Sequence, residues 1–138
     1  MKVLKIWLSV LIASLLTTIL PYGVRGQKTE ADTHFDRGMD YLNKRMLNKA
    51  IAEFNKAIEI DPNSAETYIN RGFVYDSKDQ CDLAISDYNR AIEINPRFAE
   101  AYFNKAVASE KVSHIQDAID AYKRFIQYAP RRYVPYLH

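Results

Sequence analysis

The segment AIEIDP, Ala57 to Pro62, returns as AIEINP, Ala91 to Pro96, and in altered form as FIQYAP, Phe125 to Pro130. Each return comes 34 residues after the last. A fixed period of that length marks one supersecondary unit copied along the chain. A single copy cannot bury its own apolar face, so consecutive copies must stack. Aligned at the period, residues 31–64, 65–98 and 99–132 form three rows whose columns agree. The fourth column holds His34, Tyr68 and Tyr102, the eighth Gly38, Gly72 and Ala106, and the eleventh Tyr41, Tyr75 and Ser109. Later columns hold Ala50, Ala84 and Ala118, then Ile51, Ile85 and Ile119, then Phe54, Tyr88 and Tyr122. Ala57, Ala91 and Phe125 follow, and Pro62, Pro96 and Pro130 close the rows.

Within a row the spacing is helical. Tyr68, Gly72 and Tyr75 fall at i, i+4 and i+7, and Ala84, Tyr88 and Ala91 repeat that step after the polar break Ser77 to Gln80. Each row therefore predicts two antiparallel helices joined by a short turn. The closing proline cannot extend the hydrogen-bond ladder and biases its predecessor away from helix. Ser64 offers a capping hydroxyl to a helix starting at Ala65, and Glu66 suits its first turn. The glycine and alanine columns let helix axes approach closely, and the aromatic columns fill the space between them. Cys81 shares a column with Leu47 and Ile115, which predicts a buried structural thiol.

The period, Gly72 with Tyr75, Ala84, Tyr88, Ala91 and Pro96 resemble the tetratricopeptide repeat (TPR) family. The resemblance covers residues 31–132 and implies an all-α, right-handed solenoid of three helix-turn-helix hairpins. The domain is expected over residues 27–132, followed by a short tail, 133–138. His34 stands where the family usually has an aromatic, and row three departs at Ala106 and Ser109. The family places glycine at the turn between its helices. Here Arg45, Asp79 and Ser113 stand there, and looser turns are expected.

The resemblance also implies that the first helix of each hairpin lines a concave groove. Its groove columns read as an apolar strip of Phe35, Met39, Ile69, Phe73, Phe103 and Val107. Asp32, Glu66 and Glu100 give an acidic margin, reinforced by Asp36, Asp76 and Glu110, with Lys111 the one cation among them. Asn70 and Asn104 complete the set, although Asn there is common in the family. Such a groove suits a partner protein or peptide with apolar anchors and basic flanks, as an extended segment or an amphipathic helix. TPR domains that clasp acidic chaperone tails need Lys, Asn, Asn, Lys and Arg at five groove positions. Phe35, Met39, Asn70, Glu100 and Asn104 occupy them here, so only Asn70 matches and Glu100 would repel a carboxylate.

Residues 1–26, MKVLKIWLSVLIASLLTTILPYGVRG, have the basic start, apolar middle and small-residue end of a cleavable secretory leader. Export to the periplasm or beyond the cell is the expectation. The rival is an uncleaved membrane anchor, but the apolar run Ile6 to Leu20 would span only ~22 Å of a ~30 Å hydrocarbon layer. The chain carries 19 Lys and Arg against 17 Asp and Glu. Lys2, Lys5 and Arg25 belong to the leader, which leaves 16 against 17 and removes the charge argument for nucleic-acid binding. A lone cysteine allows no internal disulfide. His34, His114 and His138 lack ligand-spaced partners, no phosphate loop is present, and no nucleophile motif appears. The expectation is a non-catalytic interaction module with no cofactor, metal or small-molecule substrate.

After Pro130 only RRYVPYLH remains in the sequence, and Pro135 opposes a further helix. The family's usual closing helix is not legible there. Tyr133, Val134, Tyr136 and Leu137 folding back would cover the last hairpin; a homodimer through that repeat is the alternative. Two rival functions follow: a self-associating structural subunit, and an accessory scaffold of a membrane-associated complex.

Overall fold

The computed structural model of the chain describes residues 28–130. The expected leader and tail lie outside the described residues. Six helices follow one another: α1 (Glu30–Asn43), α2 (Leu47–Ile60), α3 (Ala65–Ser77), α4 (Cys81–Ile94), α5 (Ala99–Lys111) and α6 (Ile115–Tyr128). No strand occurs among the described residues. The helices pair as α1–α2, α3–α4 and α5–α6, and the hairpins stack through α2 on α3 and α4 on α5. This is the all-α solenoid that the 34-residue period predicts, in the predicted register. No helix among the described residues is long and apolar enough to cross a membrane.

Helix starts differ between the two members of a hairpin. α1 opens with a reciprocal cap: Thr29 Oγ1 accepts from the Asp32 amide at 3.0 Å, and Asp32 Oδ2 accepts from the Thr29 amide at 2.9 Å. That pair of bonds holds the Asp32 carboxyl below its ordinary range. α3 has the predicted cap, with Ser64 Oγ accepting from the Thr67 amide at 3.3 Å. The second helices have no side-chain cap and start directly out of the turn. Asp61, Asn95 and Ala129 leave the helical region just before each proline, as the ring of the following residue requires.

The turns correct one expectation. Arg45, Asp79 and Ser113 adopt the left-handed region, with φ of 59°, 58° and 60°. Each turn closes with the same backbone bond: Met46 to Tyr41 at 2.8 Å, Gln80 to Tyr75 at 2.9 Å, His114 to Ser109 at 2.8 Å. The three turns are thus equally tight. Lacking glycine, they carry backbone strain instead of loosening, because the closing bond satisfies an orphan helix-end carbonyl that water would otherwise have to reach.

The small-residue columns hold the close contacts. Ala50, Ala84 and Ala91 are fully buried. A methyl group built on Gly38 would lie 2.6 Å from the Phe54 ring, and one on Gly72 would lie 2.7 Å from the Tyr88 ring. Glycine is therefore required for these rings to lie flat on α1 and α3. Phe54 is covered in turn by Val74 of the next hairpin, and Tyr88 by Ala108. Row three has Ala106 in place of glycine, and no further hairpin follows among the described residues. Tyr122 is only half-buried there, and its hydroxyl donates to Glu110 at 3.0 Å.

Candidate functional site

The residues expected to line a groove divide by depth. Phe35 and Met39 on α1 are half-buried and pack on the Ala50, Phe54 and Val74 cluster. Phe35 meets the Phe54 ring at 5.8 Å between centroids. Ile69 on α3 is 3% exposed and belongs to the core with Tyr68, Ala91 and Ala101. It supports the wall from behind and offers no surface. Phe73 on α3 is 47% exposed and Phe103 on α5 is 43% exposed. They lie on the first helices of adjacent hairpins, one turn out of register: Phe73 shares its column with Met39 and Val107, and Phe103 shares its column with Phe35 and Ile69. Phe103 is braced from the side by Phe125, with ring centroids 5.2 Å apart. Val107 and Asn104 are half-buried along the same helix. Asn70 is also half-buried and donates to the Glu66 carbonyl at 2.9 Å, which ties its amide to the helix.

The acidic margin is uneven. Glu66 and Glu100 are exposed, one per hairpin. Asp36 is bridged to Lys28. Asp76 takes both its oxygens to Lys111 Nζ at 2.9 Å, so the one cation of the groove is spent on one of its acids. That contact raises the Lys111 ammonium above its ordinary range. Cys81 lies behind the pair, with Sγ 3.6 Å from Asp76 Oδ1; burial first and then Asp76 push its thiol upward. An upward shift disfavours the thiolate, which agrees with the structural role expected for this residue. A crevice of about 70 Å³ lies between α1 and α3, with Phe35 and Ala57 in its apolar floor and Asp32, Asp61 and Glu66 around it. No cluster of three or more His, Cys, Asp or Glu that could hold an ion occurs among the described residues.

One network was missed by the column reading. Arg71 on α3 donates from Nε to Asp87 Oδ2 at 2.8 Å and from Nη2 to Asp87 Oδ1 at 2.6 Å. Its Nη1 reaches Asn55 of the preceding hairpin at 2.7 Å. Tyr68 and Tyr75 flank the guanidinium at 5.6 and 5.8 Å. Asp87 is 5% exposed, so the ion pair is a buried tie within the second hairpin, and the Asn55 bond extends it to the first. The signal was present: basic Arg37, Arg71 and Lys105 occupy the seventh column, and acidic Glu53 and Asp87 stand at the twenty-third. In row one, Glu53 instead meets His34, whose Nδ1 donates to Oε2 at 2.6 Å. A histidine replaces the usual aromatic there because it both fills the space and satisfies the carboxylate.

Family models described as TPR repeat and tetratricopeptide repeat match residues 41–79, 65–98 and 87–120. The second of these coincides with row two. The chain belongs to the tetratricopeptide repeat family. No curated protein matches this TPR chain in sequence. Among solved structures, it is similar to the first TPR of Spaghetti (RPAP3) bound to the HSP90 peptide SRMEEVD. The two share 23% identity over 78% of this chain and 86% of that one, with a TM-score of 0.72. It is similar to the TPR2B domain in the pHsp70 complex of yeast Sti1, at 28% identity over 69% and 76%, with a TM-score of 0.67. MamA is a third, at 26% identity and a TM-score of 0.72 over 80% of this TPR chain and 64% of MamA. Two of these relatives hold a protein segment, and a TPR array is a protein-interaction fold.

Proposed function

We propose that this TPR chain is a non-catalytic adaptor that grips a segment of a partner protein along α1, α3 and α5. The observation that carries this is the pair Phe73 and Phe103, large apolar side chains left 47% and 43% exposed on the first helices of adjacent hairpins. Burying both on a ligand would remove roughly 100–200 Å² of apolar surface from water, about 3–5 kcal/mol before ordering costs. Phe35, Met39 and Val107 continue the apolar floor, and Asn70 and Asn104 supply polar edges. Glu66 and Glu100 set the charge preference, and the acid-lined crevice beside Phe35 suits a Lys or Arg side chain. The ligand therefore has aromatic or aliphatic anchors with basic neighbours. This differs from the peptide SRMEEVD held by the Spaghetti domain, whose glutamates and aspartate would face Glu100 here. Ile69 drops out of the contact set because it is part of the core.

Selection of a displayed random-peptide library on the chain tests the proposal. Enriched sequences should pair apolar residues with Lys or Arg, weaken as salt rises, and lose binding to Phe73→Glu while its helical circular dichroism stays unchanged. Enrichment of acidic peptides, or undiminished binding to Phe73→Glu, would remove the groove as the site. Export through a leader cleaved near Gly26 is the second part of the proposal, motivated by the residue pattern of 1–26. Mass spectrometry of the N-terminus decides it: a start near Gln27 supports export, and a retained Met1 favours the anchored scaffold.

A further inference from the structure

A pocket of about 490 Å³ opens at the first hairpin turn, lined by Arg45, Met46, Leu47, Asn48, Lys49 and Lys78. It bridges two hairpins, because Lys78 comes from the second turn and donates to Asn48 Oδ1 at 2.5 Å. Three of its six lining residues are cations and none is an acid. Cations elsewhere meet carboxylates, as Lys44 meets Asp40, Arg90 meets Glu93 and Lys111 meets Asp76. Arg45, Lys49 and Lys78 have no ion-pair partner among the described residues. Lys78 is half-buried against a neutral amide, and Lys49 lies over the Tyr41 ring at 5.5 Å. The repeat does not dictate this cluster: one period on, the same three positions hold Asp79, Leu83 and Val112. Like charges gathered without an acid repel one another and contribute nothing favourable to folding.

We propose that this pocket binds a phosphomonoester carried on a small organic molecule. Such a group brings a charge of about −1.5 to −2 at pH 7 and three acceptor oxygens. That matches three cations better than the single charge of a carboxylate does. Arg45 supplies a planar fork of donors, and Lys49 and Lys78 supply ammonium groups. Met46 gives α2 no side-chain cap, so the amides of its first turn add further donors. Met46 is 38% exposed and Leu47 is half-buried, which offers an apolar surface to the organic body of the ligand. Residues 27–138 carry 16 Lys and Arg against 17 Asp and Glu, so a nucleic acid or an anionic membrane meets net repulsion beyond the pocket. A compact anion that fits within the pocket does not. Neither Phe73 nor Phe103 lines this site, so it stands or falls separately from the peptide groove.

Titration of the isotope-labelled full chain with phenyl phosphate at low salt, read by amide chemical shifts, tests the proposal. Saturable shifts are expected at Leu47, Asn48 and Lys78, with a dissociation constant on the order of 1 mM. Affinity should rise several-fold between about pH 5 and pH 7.5, as the ligand loses its second proton. No histidine lines the pocket, so that rise belongs to the ligand. Arg45→Gln and Lys49→Gln should each weaken binding roughly tenfold. Both side chains are exposed, so these variants keep the fold. Arg97→Gln removes an exposed cation from a different loop and should leave binding unchanged. Absence of saturable shifts overturns the proposal. So do equal affinity for benzoate, an equal loss in Arg97→Gln, or binding to phosphatidic acid vesicles without binding to phenyl phosphate.

Discussion

Three residues carry the hairpin turns in a conformation that suits glycine. Arg45, Asp79 and Ser113 hold φ near 60° because the bond from the following amide to the helix carbonyl five residues back demands it. A left-handed residue with a Cβ costs about 1–2 kcal/mol. Ser113→Gly should therefore raise stability by about 1 kcal/mol, which for a domain of this size moves the thermal midpoint up by roughly 4–8 °C. The missing glycines were legible in the sequence but pointed to looser turns; the closing bond that instead keeps them tight joins groups that only the folded turn brings together. His34 teaches the same lesson. In the alignment it is a flawed aromatic, but in the hairpin its Nδ1 lies 2.6 Å from Glu53, a distance between residues 19 apart in sequence. The His34 bond is the first cause holding the Glu53 carboxyl below its ordinary value. A depressed carboxylate contributes stability that is complete above its unfolded value near pH 4.5 and fades as pH falls through the folded value. Acid unfolding of the wild type should steepen below that pH, and Glu53→Gln should flatten that limb while lowering stability at neutral pH.

At the scale of the helix, the repeat columns name which faces pack, and the structure adds how they are fastened. Gly38 and Gly72 were legible as close-approach positions, and the flat contact of Phe54 and Tyr88 on them is the reason. The fastening of α3 to both α4 and α2 by Arg71 was not legible as a network. Charge in a helical repeat usually means a solvated face, and burial of Asp87 to 5% is a tertiary outcome. Removing one partner of a buried pair leaves the other charged and unmet. Arg71→Ala is therefore expected to cost about 3 kcal/mol in urea unfolding, far more than Arg90→Ala, whose partner Glu93 is solvent-exposed. The groove shows the opposite kind of miss. Ile69 shares a column with Phe35 and Phe103, yet it is enclosed, because the middle hairpin has neighbours on both sides and its cluster takes in Ile58 of α2 and Ala101 of α5.

Across the whole molecule, stability is uneven because each hairpin touches only its neighbours. α4 buries five residues, and α6 buries only Ala118 and Ala121. Native-state hydrogen exchange should be slowest in α3 and α4 and fastest in α6. Uniform protection across all six helices would mean that the hairpins unfold as one unit. Fold class and hairpin boundaries could be read from the 34-residue spacing, because both follow from local periodicity and from which columns are small. Depth along the first helices and pairing of charges could not be, since they depend on contacts between residues from 16 to 35 positions apart, such as Arg71 with Asp87 and Lys111 with Asp76. Those contacts exist only once the hairpins have stacked, and stacking is what turns a column of similar residues into one buried side chain, one exposed one and one tie between neighbours.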